Sequence, residues 1–227
     1  MAPAPNSASR RPSAPRKPRF SPTRLSLYLF CPLAYHYYYN RKLRWGAINA
    51  GQAFGGSLHR ALEEFHRAGG VEAASVEDLL ERFRDRWSGL GYDSVEEEQA
   101  HLDMGAQLLQ EYYENAAAAP REALLTEAQV KWDYPEFVLF GKIDRLDRHP
   151  DGVLEIVDYK SGWRSITEEE VRQNLALAVY QLIIARLNPG ARVRAGIYCL
   201  RTGAAAAIER SPAELDEVEQ GIRETAL

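Results

Sequence analysis

Apolar residues recur at helical spacing in the first half of the chain and in strand-like runs in the second. The segment 75–87 has its apolar residues on one face of a helix. Ser75 and Asp78, at the start of this segment, have the spacing of a capping box. The same reasoning predicts a short helix near 23–30, a second segment through 33–40, a helical pattern around 58–65 and a helix over 96–115.

The pattern changes to strands after Pro120. Short turn signals separate three apolar runs, which predicts an antiparallel meander. These runs cover 124–132, 137–147 and 152–160. A capping box at Thr167 and Glu170 opens a helix that is predicted to reach Leu187. A buried strand over 192–200, a hairpin partner and a final helix from Ser211 follow, so the order of elements predicts α/β/α layering.

Charge divides the chain into two parts. The net charge of the 227 residues is −4, yet residues 1–62 hold ten Lys or Arg and no Asp or Glu. This split suggests a phosphate-facing region on an acidic body. Residues 1–20 are rich in Pro, Ser and Arg and are predicted to be a disordered tail. One domain is expected over 21–227, with a helical part at about 21–118 and a sheet core at about 123–210.

Basic and aromatic residues alternate beyond the predicted tail. Arg24, Tyr28 and Arg41 belong to this group and are candidate substrate-binding residues, because such mixtures hold phosphates and stack on bases. Two distant cysteines give no disulfide framework and favour a reducing, cytoplasmic setting. No apolar run approaches membrane-spanning length, so no membrane association is expected.

The stretch "EIVDYKSGW" combines burial with charge. Asp158 and Lys160 stand two residues apart in a strand, so they project from the same face. Asp144 in the preceding strand is positioned to meet them at one edge of the sheet. Paired carboxylates suit Mg²⁺ or Mn²⁺, and a lysine beside them can orient the attacking water or stabilise charge on a phosphoryl group.

Each part of this set also has an ordinary structural interpretation. An Asp-x-Lys in a strand is often a surface ion pair, and "DRLDR" resembles a solvated face of alternating charge. His59, on the helix that follows three glycines, could supply a nitrogen ligand or be a structural histidine. The combination favours the metal site more than any single member does.

The paired segments "GKIDRLDR" and "EIVDYKSG" resemble the core motifs of the PD-(D/E)xK nucleases, specifically the RecB-like exonuclease branch. "LSLYLFCPLAYHYYY" and "GGSLHRALEEF" are similar to its Cys-Pro and Gly-x-x-x-His helices. The resemblance covers about residues 21–201. It implies a restriction-endonuclease-like α/β/α core with a mixed central sheet and an N-terminal helical part.

Residue roles follow from this resemblance. It implies that Asp144 and Asp158 are metal ligands, that His59 and the backbone carbonyl of Tyr159 add to them, and that Lys160 is the catalytic lysine. The family places Gln four residues before Tyr on the following helix. Here Gln173 precedes Tyr180 by seven residues, or two helical turns, which predicts a shared face with Gln173 one turn further out. The two residues are candidates either to contact the DNA substrate or simply to cap the site.

Many relatives bind an iron–sulfur cluster through four cysteines. Cys31 occupies the first of these positions, but Cys199 does not fit the later group. Two cysteines cannot supply four ligands, so no iron–sulfur cluster is expected, and Cys31 is predicted to be a small buried apolar residue.

The expected function is that of a metal-dependent deoxyribonuclease. The resemblance implies exonuclease action on single strands or ends of DNA in repair or recombination, with a helicase subunit as a possible partner. An alternative from another class is a catalytically inactive, nuclease-like DNA-binding or interaction module of a helicase–nuclease complex.

Overall fold

A computed structural model of the chain describes residues 17–43, 46–162 and 165–226. Within these residues, six strands form one sheet. The strands are β1 (Arg19–Phe20), β2 (Glu122–Asp133), β3 (Val138–Arg148), β4 (Leu154–Lys160), β5 (Val193–Cys199) and β6 (Ala205–Ile208).

Helices precede, interrupt and follow these strands. Both predicted capping boxes are formed, at Ser75 and at Thr167. The α-helices are α1 (Pro22–Phe30), α2 (Pro32–Tyr35), α3 (Ala50–Arg67), α4 (Val76–Asp85), α5 (Val95–Ala118), α6 (Glu168–Gln173), α7 (Leu175–Leu187) and α8 (Pro212–Ala226). A π-helix over His36–Asn40 continues α2, and a 3₁₀ turn over Gly70–Glu72 follows α3.

The sheet contains both antiparallel and parallel pairs. The predicted meander is formed, since β2 pairs with β3 and β3 with β4 in antiparallel fashion. The pair β4–β5 is parallel, and α6 and α7 provide the crossover that a parallel pair needs. β6 returns antiparallel to β5, and β1 joins β3 in parallel. The mixed central sheet is therefore confirmed.

Helices cover both faces of the sheet. One apolar cluster joins the sheet to α7, with Leu25 of α1 and Ile222 of α8 at its margin. The second joins the sheet to α3, α4 and α5 through residues such as Phe65, Phe83 and Leu109. These two layers of helices confirm the predicted α/β/α architecture.

The predicted tail over 1–20 is wrong at its C-terminal end. Arg19 and Phe20 form β1, and the Phe20 ring meets Phe137 edge-on at 5.7 Å. The Arg19 guanidinium lies 4.6 Å from the centre of the Phe140 ring. Two aromatic contacts and a strand pair thus order this end of the segment. Residues 1–16 lie outside the described residues.

Candidate metal centre

Asp144 and Asp158 lie opposite each other where the β3–β4 ladder ends. The last pair of that ladder joins Arg145 to Val157, and one further step in the same antiparallel register joins the two aspartates. The backbone N–H of Tyr159 donates to Asp144 Oδ2 at 2.8 Å. A side chain thereby replaces a strand carbonyl as its acceptor. The two acids singled out in the sequence are therefore neighbours.

A third carboxylate, Glu127 of β2, completes a row across three strands. The residues on either side of Glu127 pair with those on either side of Asp144. Glu127 consequently lies opposite Asp144, on the edge of β3 away from Asp158. Glu127 was not among the site residues predicted from the sequence. Its only signal is that Glu127 is the single acid in "LLTEAQVKW".

The backbone at Glu127 adopts a conformation that side chains rarely permit. Its φ is +46°, which is uncommon for any residue other than glycine. Holding such a residue in place costs on the order of 1–3 kcal/mol, and such outliers cluster at functional sites. The strain therefore favours a functional role for Glu127 over a purely structural one.

Helix α3 brings His59 to these carboxylates. Gly55 allows the close approach, because a Cβ there would lie 3.1 Å from Ser161 Oγ, just beyond β4. His59 Nδ1 lies 3.3 Å from Glu127 Oε1 and 3.4 Å from Asp144 Oδ2. Its Nε2 lies 3.1 Å from the carbonyl oxygen of Tyr159.

The donor set fits a divalent cation. One ligand atom from each of His59, Glu127 and Asp144 lies within 4.8 Å of the others. Oxygen donors with a single imidazole suit Mg²⁺ and, still better, Mn²⁺. Tyr159 places its carbonyl beside the imidazole. Asp158 adjoins Asp144, although it stands outside this group of three.

The pKa shifts of His59 and Glu127 also favour a cation site. Burial alone would lower the pKa of His59, but hydrogen bonds and charge from Asp144 and Glu127 raise it to about 10. Burial opposes ionisation of Glu127, yet hydrogen bonds from His59 and Lys142 hold its pKa below the usual value. The protonated imidazole thus supplies positive charge where the acids require it.

Asp158 and Lys160 form an ion pair at the end of β4. Lys160 Nζ contacts Asp158 Oδ2, and the lysine side chain is 52 % exposed. Burial raises the pKa of Asp158, an effect that Lys160 opposes and Asp144 reinforces. Asp158 is therefore a buried acid, whereas its partner Lys160 reaches solvent. A lysine in this position can contact a substrate.

A cleft opens beside His59 and Glu127, which both line it. It has a volume of about 330 Å³, and the side chains of Arg60 and Lys142 contribute to its walls with Gly55 and Gly56. Lys142 Nζ contacts Glu127 Oε2. Two lysines, Lys142 and Lys160, thus flank the row of carboxylates from different strands.

Tyr180 of α7 closes the other side of the site. Its ring packs on Gly141, where a Cβ would lie 2.3 Å from Tyr180 Cε1. Burial, followed by the negative charges of Asp158, Asp144 and Glu127, raises the pKa of Tyr180 to about 12. All three carboxylates therefore disfavour ionisation of Tyr180, which remains a neutral phenol at physiological pH.

The shared face predicted for Gln173 and Tyr180 is wrong. The predicted helix over 167–187 breaks at Asn174, whose ψ is 105° and whose side chain caps α7 by accepting from Leu177 N at 3.1 Å. Gln173 ends α6 instead and donates to Glu169 Oε1 at 2.6 Å. An asparagine that caps a new helix separates the two residues.

The N-terminal candidates follow β1, and β1 lies along the same edge of β3 as β4. β1 pairs with that edge at 138–139 and β4 at 145–148, so residues 140–144 separate them. Arg24 donates from Nε to Tyr35 OH at 2.8 Å and from Nη1 to the Arg19 carbonyl at 2.9 Å. Tyr28 is 41 % exposed, and Arg41 is also exposed.

The two cysteines have separate structural positions. Cys31 is only half-buried, so the prediction of a buried apolar role is wrong. Its Sγ accepts a hydrogen bond from Ala34 N at 3.4 Å and caps α2. Cys199 is buried in β5.

Each helix in the described part of the chain is too short or too polar to cross a membrane.

Comparison with solved structures supports the fold. A candidate exonuclease from Eubacterium rectale aligns over 90 % of this chain and 79 % of its own, with a TM-score of 0.50 and 14 % identity. The structure of SSO0001 aligns over 89 % of this chain and 83 % of its own, with 10 % identity. Its TM-score of 0.34 is too low to support any argument.

Sequence comparison identifies the family. Among curated proteins, none matches this chain. The family model for the PD-(D/E)XK nuclease superfamily matches residues 19–227, which span the whole sheet and both layers of helices. The row of carboxylates beside His59 and Lys160 lies within that match. The chain belongs to the PD-(D/E)XK nuclease superfamily.

Proposed function

We propose that this protein is a metal-dependent deoxyribonuclease of the RecB-like branch, acting as an exonuclease on single strands or ends of DNA. The carrying observation is the convergence of His59, Glu127 and Asp144 next to the Asp158–Lys160 pair. Nitrogen and carboxylate donors for a cation stand beside a solvent-accessible lysine. This combination suits hydrolysis of a phosphodiester.

A bound Mg²⁺ or Mn²⁺ ion would neutralise phosphate charge and lower the pKa of water. His59, Glu127, Asp144 and Asp158 would hold it, together with the Tyr159 carbonyl. Lys160 orients the attacking water and stabilises charge on the phosphoryl oxygens. The water oxygen bonds to phosphorus and releases one proton to solvent as one P–O ester bond breaks, and the leaving oxygen takes up one proton from solvent.

The N-terminal segment supports a preference for single strands. Tyr28 offers an exposed ring for stacking, and Arg41 offers a cation for phosphate. Unpaired bases stack on aromatic side chains in this way whatever their sequence. Arg24 acts indirectly, because its bonds to Tyr35 and Arg19 hold this surface together. Tyr180 contacts substrate beside the metal centre, whereas the proposal assigns no contact to Gln173.

The cellular setting is part of the same proposal. Cys31 and Cys199 are both thiols, which fits the reducing cytoplasm. The RecB-like motifs support a role in repair or recombination, with a helicase subunit as partner. The competing proposal is a nuclease-like DNA-binding module without catalysis. Asp144, Asp158 and Lys160 argue against it, because a module of that kind has no use for a buried acid paired with a lysine.

Digestion of end-labelled DNA tests the function. Single- and double-stranded substrates would be incubated with Mg²⁺, Mn²⁺ or EDTA, using the wild type and Lys160→Ala. Cleavage should require the cation and fall by about 10²–10³ in the variant, as for removal of one group that stabilises transition-state charge.

Lys131→Ala is the matched control, because Lys131 pairs with Asp133 on the exposed part of β2. It should cleave like the wild type. Folded wild type that binds DNA and cleaves neither substrate with either metal would favour the non-catalytic module.

A further inference from the structure

A buried arginine lies directly behind the metal centre. Arg145 follows Asp144 in β3 and is only 8 % exposed. Its Nη2 donates to Asp147 Oδ2 at 2.7 Å, which gives the guanidinium its countercharge. Its Nη1 donates to the hydroxyl of Tyr159 at 2.8 Å and also to the hydroxyl of Tyr112.

A neutral histidine completes the setting. His66 Nε2 lies 2.7 Å from Arg145 Nη1 and 2.6 Å from Tyr112 OH. Burial, reinforced by the charge of Arg145, lowers the pKa of His66 to about 3. The neutral His66 ring can therefore act as an acceptor at Nε2, where Tyr112 OH and Arg145 Nη1 are the two donors within reach. Groups from α3, α5, β3 and β4 thus converge on one guanidinium.

Tyr159 connects this network to the candidate ligands. Its side chain points into the helical layer of α3 and α5, where its hydroxyl contacts Arg145 and Tyr112. Its backbone contacts the metal centre, since its N–H donates to Asp144 Oδ2 at 2.8 Å and its carbonyl lies 3.1 Å from His59 Nε2. Tyr159 therefore joins the buried guanidinium of Arg145 to two candidate metal ligands, Asp144 and His59.

We propose that Arg145 is a positioning residue for the metal centre and acts through Tyr159. By fixing the phenol, it fixes the peptide groups that orient Asp144 and His59. Arg145 touches neither metal nor substrate in this role. The inference rests on the proposed function, because it concerns the same cation site.

Stability alone is a poor reason for this arrangement. Replacing a buried ion pair by well-packed apolar residues is often neutral or stabilising. Apolar residues in place of Arg145 and Asp147 would fill the space but would hold the Tyr159 hydroxyl by no directional bond. Directional bonds from Nη1 and Nη2 specify the positions of the Tyr159 hydroxyl and the Asp147 carboxylate, although Arg145 Nε and Asp147 Oδ1 have no partner among the described residues. The arrangement therefore suits the orientation of ligands.

The test is Mn²⁺ affinity of the purified protein, measured directly by electron paramagnetic resonance of free Mn²⁺. Tyr159→Phe keeps the ring and removes only the hydroxyl that accepts from Arg145. Loss of a group that orients metal ligands typically weakens metal binding 10–100-fold. We expect at least a tenfold rise in the Mn²⁺ dissociation constant.

Tyr198→Phe is the matched control. The Tyr198 ring lies 6.3 Å from that of Tyr159, but its hydroxyl accepts from Asn115 rather than from Arg145. Its Mn²⁺ affinity should equal that of the wild type. Arg145→Lys keeps a charge opposite Asp147 but cannot reproduce the planar fork. It should lose Mn²⁺ affinity like Tyr159→Phe, and either variant tests the proposal if the other fails to fold.

Unchanged Mn²⁺ affinity in folded Tyr159→Phe and Arg145→Lys would overturn the proposal and leave Arg145 a purely structural role. Failure of the proposed function has a different signature. In that case the wild type binds Mn²⁺ but cleaves no DNA, while the ranking of the variants in Mn²⁺ affinity still reports on Arg145.

Discussion

Glu127 lies opposite Asp144 across the β2–β3 pair, with a backbone φ of +46°. Two carboxylates in this relationship repel each other, and the backbone strain adds to the cost. His59 lies between them, within 3.4 Å of both, and Lys142 contacts Glu127 from outside. The protein thus concentrates negative charge and balances it with His59 and Lys142. A bound metal ion can take over the positive charge that these two side chains supply.

Replacement of Glu127 by Gln should weaken metal binding while preserving the shape of the site. Losing one charged donor should raise the Mn²⁺ dissociation constant at least tenfold, which corresponds to a loss of about 1.4 kcal/mol in binding free energy. Isothermal titration of the metal-free protein measures this. Glu122→Gln at the start of the same strand is the control, because Glu122 forms an exposed ion pair with Arg148. Equal affinities of the two variants would remove Glu127 from the ligand set.

Addition of metal should stabilise the folded protein. At a Mn²⁺ concentration 100 times the dissociation constant, binding contributes about 2.7 kcal/mol. For a chain of this size that corresponds to a rise of roughly 5–11 °C in the unfolding midpoint. Differential scanning fluorimetry with Mn²⁺ or EDTA measures the shift.

Lys160→Met provides a second measurement from the same experiment. Lys160 is not a ligand in the proposed site, so this variant should retain the Mn²⁺-dependent shift although it loses cleavage. Asp144→Asn should lose both. A Lys160→Met protein that no longer responds to Mn²⁺ would contradict the separation of roles between lysine and ligands.

The N-terminal surface should contribute to binding of single strands in two distinguishable ways. Tyr28→Ala should weaken binding to a single-stranded oligonucleotide by about 1–3 kcal/mol through lost stacking, with little change in salt dependence. Arg41→Ala should instead reduce the slope of log K against log salt by about 0.7, as for one lost phosphate contact. Fluorescence anisotropy over a range of salt concentrations measures both.

Arg24→Ala should behave differently from these two variants. Its guanidinium bonds to Tyr35 and Arg19 and lies 4.8 Å from the centre of the Tyr39 ring. Its loss should therefore lower thermal stability as well as affinity. If all three variants bind single strands like the wild type, the surface is not a nucleic-acid contact.

Gly141→Ala should disturb Tyr180. The new Cβ would lie 2.3 Å from Tyr180 Cε1, and overpacking of this kind typically costs about 1–3 kcal/mol. Urea unfolding measures the loss. Gly221→Ala is the control, because a Cβ there meets no atom within 4 Å and alanine favours a helix by about 0.5–1 kcal/mol. A Gly141→Ala protein as stable as the control would show that Tyr180 moves freely.

Much of the fold could be predicted because local signals agree with tertiary structure. Capping boxes at Ser75 and Thr167 mark real helix starts, and tight turns specify the meander. β1 could not be predicted, because two residues carry no periodicity and their order comes from Phe137 and Phe140. The break at Asn174 was missed because the apolar pattern continues across it, although Asn is a strong N-cap.

The site divides in the same way. Asp158 and Lys160 could be identified because strand alternation alone puts them on one face. Asp144 follows from the short turn between its strand and theirs. Glu127 could not be identified from the sequence, since its position depends on a long-range strand register. It also depends on a backbone conformation that the residue type does not predict. A lone glutamate in a strand is ordinarily a surface residue.

The pairing of β1 with β3 constrains the order in which the chain folds. Joining Arg19 to Val138 closes a loop of roughly 120 residues, at an entropic cost of about 4 kcal/mol. During synthesis at about 5–20 residues per second, β1 therefore waits roughly 6–24 s for its partner to leave the ribosome. Leu25, buried in the finished protein within the apolar cluster that joins the sheet to α7, is exposed to solvent in that interval. The strand that is synthesised before the other five is therefore among the last to pair.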